Sequence, residues 1–286
     1  MERTNIFVYG TLKRNQRANH ILTDAGAQFL GDCELPGYAL YDLGAYPAIR
    51  KASYSKVFGE LWSIDSDRMA EMDSYESEGS LYDRSKVTVI FSDGEKAEAE
   101  AYVYKRKINR AKCPPDCSWP VSDRVWYASY GSNISERRFN CYIEGGCLKE
   151  NGIEYEGCSD KSHWLDCKAE EISNAEIYFA RQSPSWREKG VAFLDPEAEG
   201  KSTWSKRYLI NKEQFAEVWK QEGINGWYSA LVFLGRDETD GNPIFSFTEG
   251  TRSPENEPDP AYLELIAGAM RGDGVPEERI KEYLKY

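Results

Sequence analysis

Apolar and polar positions fall into short alternating runs along most of this chain, bounded by glycine, proline and polar clusters. In the first half the strand-like runs are "NIFVYG", "GYALYDL", "YPAIRK", "KVFGELWSI", "SKVTVIF" and "AEAEAYVY". In the second half they are "VWYASYG", "AEIYFAR", "GVAFLD", "KRYLI" and "YSALVFLG". Helical spacing is rarer. It appears where Met69 and Met72 stand i, i+3, where Phe215 and Val218 do the same, and in the C-terminal "PDPAYLELIAGAMRGDGVPEERIKEYLKY". That last segment predicts two short amphipathic helices, with Tyr262, Leu263, Leu265, Ile266, Ala269 and Met270 as an apolar stripe packed on the second domain. A DNA-reading helix-turn-helix fits it less well, because its other face is acidic. Many short strands with one or two helices per half favour an α+β arrangement, a small mixed sheet or barrel, over a doubly wound fold.

The same programme is played twice. The first strand runs into "VYGTLKRNQRANHIL", and a strand near the middle runs into "ASYGSNISERRF". Both give tyrosine-glycine, a small hydroxyl residue and a basic helix-like segment. Later, "LWSIDSDRMAEMDSYESEGSLY" and "YLINKEQFAEVWKQEGINGWY" align without a gap at a single offset of 146 residues. Ile64 falls on Ile210, Ala70 on Ala216, Glu71 on Glu217, Glu76 on Glu222 and Tyr82 on Tyr228. Asp65 falls on Asn211, each a good helix N-cap. The chain therefore reads as a tandem duplication: a first domain over 1–108, a linker over 109–123 and a second domain over 124–286. The linker is read from "INRAKCPPDCSWPVSD", which has no apolar period. From Tyr9 to Tyr130 the offset is only 121, so the second half carries about 25 extra residues between loop and helix. They are expected as a surface insertion over about 141–186, including the aperiodic "CLKENGIEYEGCSDKSHWLDC".

A length of 286 residues suffices for two domains, each with its own core. The net charge of -12 argues against wrapping nucleic acid, and the patch "KRKINRAKC" marks the end of a strand and the linker. No basic segment followed by an apolar one opens the chain, and no apolar run approaches the roughly 20 residues of a membrane span. With no signal segment, the seven irregularly spaced cysteines read as reduced thiols of a cytoplasmic protein. A metal site would start from Cys113 and Cys117 in "CPPDC", but His20 and His163 are the only histidines and four ligands do not assemble. The same shortage disfavours Ser-His-Asp or Cys-His catalysis. Neither metal nor cofactor is expected.

A strand that ends in glycine and turns into a helix exposes backbone N–H groups able to hold an anionic group or a developing oxyanion. Gly10 and Gly131 permit the tight backbone, and Thr11 and Ser132 add hydroxyls. Such turns are also common structural devices. The repeated glutamate adds the chemistry. Glu76 and Glu222 each close a short predicted helix, at the negative end of its dipole, where a partly apolar pocket raises a carboxyl pKa toward neutrality. That suits a general base and acid. A single such glutamate would read as a solvated surface residue. Its recurrence in both halves, where other surface residues differ, favours function.

"FVYGTLKRNQRANHIL", "YPAI", "GELWSID", "MDSYESEGSLYDR" and "AYVY" together resemble the γ-glutamyl cyclotransferase family, most nearly its γ-glutamylamine cyclotransferase branch. The second half, with "YASYGSN", "GVAF" and "KQEG", resembles the γ-glutamyl cyclotransferase side of the same superfamily. The resemblance spans most of 4–106 and, more loosely, 124–250. It implies two tandem mixed β-barrel-like domains with flanking helices, and release of 5-oxoproline from a small γ-glutamyl compound. It also implies proton transfer by Glu76 and by Glu222. The γ-glutamyl group would be bound by Tyr9, Gly10, Thr11 and Leu12, with Tyr46, Tyr82 and Arg84 beside them, and by Tyr130, Gly131, Ser132, Asn133 and Tyr228 in the second half. For Tyr82 the alternative is a core filler, and for Arg84 an ion pair to the acidic helix. Ala230 replaces Arg84 and Asn133 replaces Leu12 in the second half, so the two sites are expected to differ in substrate.

A γ-glutamyl amide carries its own nucleophile, so an enzyme has only to fold it, shuttle protons and hold the oxyanion. The expected activity is a cofactor-independent cyclotransferase, an acyl transfer of lyase type on an amide. Two other readings stand beside it: a catalytic first domain with a ligand-binding second one, and a protein that only binds ligands in both. Nothing in the sequence fixes the leaving amine or an oligomeric state.

Overall fold

Continuous apolar runs such as "IFV" and "VWYA" mark strands buried on both faces, and each forms the middle of a sheet. The computed structural model describes residues 2–110, 112–149 and 152–285. The chain divides into two units, Met1–Ser122 and Asp123–Tyr286.

The first unit consists of β1 (Arg3–Val8), α1 (Asn19–Asp24), β2 (Gln28–Asp42), β3 (Pro47–Asp65), α2 (Met69–Glu76), β4 (Tyr82–Phe91), β5 (Lys96–Tyr104) and β6 (Pro115–Asp116). β1 lies between β3, antiparallel, and β5, parallel. β4 joins β5 to β2, and β2 pairs back onto β3, which closes a ring of five strands. Phe7, Leu35, Leu40, Ile49, Val57 and Val89 belong to one buried cluster. Ile6 and Val8, on the other face of β1, pack with Leu22, Ile64, Met69 and Met72. The runs "YPAIRK" and "KVFGELWSI" are parts of one strand, β3, because β2 runs beside it almost throughout.

The expected linker over 109–123 belongs largely to this unit. β6 pairs with β2 through Leu40 and Asp116, and the Phe58 N–H donates to the Cys117 carbonyl at 2.7 Å. The buried Asp116 carboxylate accepts from the N–H groups of Cys117, Ser118 and Ser122 at 2.6, 3.1 and 2.6 Å. Side-chain-to-backbone bonds hold this stretch, so no apolar period was there to be read. Ala111 lies outside the described residues.

The second unit consists of β7 (Arg124–Ser129), α3 (Glu136–Glu144), β8 (Gly146–Leu148), β9 (Ile153–Tyr155), β10 (Asp166–Ser173), β11 (Glu176–Ser183), β12 (Lys189–Asp195), β13 (Ser202–Asn211), α4 (Lys212–Gln221), β14 (Ala230–Arg236), β15 (Pro243–Thr248), α5 (Pro260–Gly272) and α6 (Glu277–Leu284). β7 lies between β13, antiparallel, and β15, parallel, with β14 beyond β15. This is the neighbour order of β3, β1, β5 and β4 in the first unit. β10 adds an edge to β13, and β11 with β12 forms a separate ribbon, so this five-stranded sheet stays open in its hydrogen bonding. Both units are α+β.

Two local expectations change. The segment 141–186 is not a loose surface insertion: it contains the end of α3, the β8–β9 hairpin, edge strand β10 and all of β11. Leu148, Cys158 and Trp164 anchor it singly in the core, which leaves no period in the sequence. Glu150 and Asn151 lie outside the described residues. Of the two expected N-caps, Asn211 forms a full capping box with Gln214. Asp65 makes no cap bond, because its carboxylate is drawn to Arg3 at 2.8 Å. At the C-terminus Tyr262, Ile266 and Met270 are buried faces of α5 within the second unit.

Asp116→Ala removes the acceptor of three N–H donors, one buried and two half-buried, which costs about 2–4 kcal/mol. Hydrogen exchange at the Cys117, Ser118 and Ser122 amides is expected to rise accordingly, while amides of the second unit keep their protection.

Candidate active site

Tyr9 follows β1 directly, and its buried hydroxyl donates to the Tyr102 carbonyl on β5 at 2.6 Å. Gly10 must be glycine, since a Cβ there would sit 2.8 Å from Pro47 Cγ. The turn is held from inside by Lys13 N–H to the Gly10 carbonyl (3.1 Å) and Ala18 N–H to the Thr11 carbonyl (3.0 Å). From outside, the buried Glu60 carboxylate accepts the Arg14 N–H at 3.0 Å. Tyr82, opening β4, donates to the Pro47 carbonyl at 2.9 Å and so ties the start of β3 over the turn. The Thr11 and Tyr75 hydroxyls are 2.9 Å apart.

Beside this turn lies a small cavity of about 30 Å³, with Glu76, the last residue of α2, in its wall. Tyr9, Gly10, Thr11, Leu12, Tyr46 and Tyr82 line it as well. Leu12 contributes as part of the apolar core. Arg84 stands outside, with its Nε 3.2 Å from Asp73 on α2 and Nη1 2.7 Å from Glu100. Burial pushes the Glu76 carboxyl up to about 7.

The second unit repeats this construction. Tyr130 donates to the Phe247 carbonyl on β15 at 2.6 Å, as Tyr9 does to β5. Tyr228 donates to the Ala192 carbonyl at 2.9 Å, as Tyr82 does to Pro47. A Cβ on Gly131 would lie 3.1 Å from the Tyr262 hydroxyl, so this glycine too admits a close neighbour. The turn closes through the Ile134 N–H to the Gly131 carbonyl at 3.0 Å. Glu222 caps the end of α4 and accepts from Asn133 Nδ2 at 2.6 Å. Burial raises its pKa, while the Arg138 charge and hydrogen bonds from Asn133 and Tyr142 pull it back. Tyr130, Gly131, Ser132, Asn133, Glu222 and Tyr228 all line one cavity.

That cavity is about 350 Å³, in the size range of small-molecule sites. The difference from the first unit comes from walls the sequence reading did not foresee: Arg138, Tyr142, Tyr155, Trp186 and Tyr262. Three of them, Tyr142, Tyr155 and Trp186, come from the segment expected to be a surface insertion. Arg138 is only 7% exposed. Its Nη1 donates to the Tyr155 hydroxyl at 2.7 Å and its Nη2 to the Tyr142 hydroxyl at 3.2 Å. A signal for it existed: Arg138 and Tyr142 stand i, i+4 on α3, one face of the basic segment after the tyrosine-glycine turn.

A family profile described as gamma-glutamyl cyclotransferase, AIG2-like, matches residues 6–121. The gamma-glutamylcyclotransferase family protein YtfP of Escherichia coli K12 is 34% identical over 119 residues, which cover 42% of this chain and 98% of that protein. Gamma-glutamylaminecyclotransferase A of Danio rerio is 29% identical over 108 residues, 35% of this chain and 67% of its own. Among solved structures, YkqA from Bacillus subtilis covers 99% of this chain and 98% of its own, at 17% identity and a TM-score of 0.45. On the near-complete alignment with YtfP, this chain belongs to the gamma-glutamylcyclotransferase family.

Proposed function

We propose that the protein is a γ-glutamyl cyclotransferase that releases 5-oxoproline from γ-glutamyl amines or γ-glutamyl amino acids, using Glu76 in the first unit and Glu222 in the second. One observation carries the reading. In each unit a helix-end glutamate with a raised pKa shares a cavity with the tyrosine-glycine turn, under the same two tyrosine-to-carbonyl bonds. The repetition supports a duplicated chain with a site in each copy.

The chemistry asks little more. The carboxylate takes a proton from the α-ammonium, and the freed amine attacks the γ-carbonyl to close a five-membered ring. The glutamate then returns that proton to the leaving amine as the C–N bond breaks, and the second proton, lost by the ring nitrogen, follows by the same carboxylate, so that the amine leaves as its ammonium. The C–N bond formed replaces the one broken, and no water is consumed. Because attack is intramolecular, positioning supplies much of the acceleration, and a carboxyl titrating near neutrality can act in both directions. Neither step calls for a cofactor. Backbone at the turn after Gly10 or Gly131 would hold the developing oxyanion.

The cavity volumes favour the second unit as the principal site, since about 30 Å³ admits little more than a water molecule. With the full-length protein and a panel of γ-glutamyl compounds, Glu222→Gln is expected to lower kcat for 5-oxoproline release by about 1000-fold. Glu76→Gln is expected to remove a smaller share of the total. Unchanged release in both variants would contradict the assignment.

The raised carboxyl of Glu76 also sets a pH dependence. Between its ordinary 4.5 and about 7 the folded chain keeps a proton that the unfolded chain has lost, so stability falls as pH rises through that window and levels off above it. The shift is worth at most ~3 kcal/mol, and partial exposure trims it to about 1 kcal/mol. Glu76→Gln is therefore expected to gain about 1 kcal/mol over the parent at pH 8 relative to pH 5 in urea unfolding. An equal difference at both pH values would contradict the buried-carboxylate account.

A further inference from the structure

The only charged side chains lining the second cavity, among the described residues, are Arg138 and Glu222. Arg138 is removed from water, yet both of its hydrogen-bond partners are neutral phenols. Its Nε is buried without a partner among the described residues. A buried guanidinium left this way is costly unless an anion completes it. Glu222 makes no ion pair with it among the described residues; the Tyr142 hydroxyl accepts from Arg138 Nη2 at 3.2 Å and also favours the charged form of Glu222. At the Glu222 end a second polar atom is also unmatched, the Asn133 Oδ1, a buried acceptor with no donor among the described residues. In the cavity wall there is thus one cation with an unpaired buried N–H at one place, and a carboxylate beside an unpaired buried acceptor at another.

That is the complement of an α-amino acid head group. We infer that Arg138 receives the free α-carboxylate of the substrate in the second unit, while Glu222 and Asn133 face its α-ammonium. Compounds for this site then carry both groups on the glutamyl α-carbon, and a γ-aminoacyl amide lacking the carboxylate is rejected. The fork of a guanidinium suits a carboxylate geometrically. A filled Arg138 also fixes which end of the substrate lies toward Glu222, so the amine to be deprotonated meets the base. The inference rests on the cyclotransferase reading and adds the feature by which this site selects its substrate.

The first unit lacks the device. Arg17 stands the same eight residues after the tyrosine, but it is exposed and donates to the Ala45 carbonyl at 2.8 Å. No basic side chain is among the described residues lining that cavity. The two halves should therefore differ in their need for the carboxylate.

The test uses the full chain carrying Glu76→Gln, so that Glu222 is the proton-transfer carboxylate that remains. A γ-glutamyl amide is compared with the 4-aminobutyryl amide of the same amine, which has hydrogen in place of the α-carboxylate and cyclises to 2-pyrrolidinone. The carboxylated compound is expected to be preferred on the order of 100-fold in kcat/KM, mostly through KM. Arg138→Gln should abolish that preference by weakening the carboxylated compound alone, and Arg138→Lys should restore part of it. The ratio of the two compounds is the readout, because a merely structural loss lowers both together. If Arg138→Gln does not fold, the parent preference and Arg138→Lys carry the test. A preference that persists without Arg138, or is absent in the parent, overturns the inference. If neither compound is turned over, the cyclotransferase reading fails on its own. Calorimetric binding of the same two compounds then decides on Arg138: loss of a carboxylate preference in Arg138→Gln supports it, and equal binding in the parent overturns it.

Discussion

Drawing a carboxylate out of water is expensive unless a cation or several hydrogen bonds replace its hydration, and both units of this chain accept that cost at the same place, the end of a short helix. Glu76 meets it with a pKa near neutrality. Glu222 meets it with one Asn133 bond and the attraction of a buried arginine. Keeping such a group in a cavity requires walls that neither collapse onto it nor admit bulk water. The tyrosine hydroxyls of Tyr9, Tyr82, Tyr130 and Tyr228 provide this, each spending its polar tip on a backbone carbonyl and its ring on the wall. Gly10 and Gly131 let the turn approach what lies opposite. The same strand order in both units then places turn, helix end and tyrosine within reach of one another.

What separates the units is what has been added around that frame. In the first, the long β2–β3 hairpin closes a barrel, and Tyr46 and Pro47 sit over a space of about 30 Å³. In the second, the ribbon of β11 and β12 and the β8–β9 hairpin stand apart from the main sheet and leave about 350 Å³. The added segment carries Tyr155, and α3 carries Arg138 and Tyr142, so the enlargement brings charge as well as room. One copied frame with two differently furnished cavities is the physical basis for expecting two substrate preferences.

The sequence made the frame legible because the frame is local. Tyrosine-glycine at a strand end, the apolar pairs Met69/Met72 and Phe215/Val218, and glutamate at a helix end are short-range patterns repeated twice. Arg84 shows the limit of such patterns: its place in the motif suggests the site, but Asp73 and Glu100, set 11 and 16 residues away in sequence, hold it on the outside. Asp65 likewise had the chemistry of a cap and was taken by Arg3, a partner only the sheet register brings near. The segment 141–186 was misread because single anchors such as Cys158 and Trp164 replace periodicity, and its Tyr155 reaches the cavity through the hairpin. Arg138 lay in plain view, but whether an arginine points to solvent or into a cavity is decided by burial, as its counterpart Arg17 demonstrates.

The claim on which the account turns is that the substrate's own amine is the nucleophile and the glutamate only moves its proton. Mass analysis of products formed by the full-length protein from a γ-glutamyl amide, in water enriched with heavy oxygen, tests it most directly. The account predicts 5-oxoproline that carries no label, with an equal amount of free amine. Labelled glutamate as the initial product would mean that water attacks instead, and would contradict it.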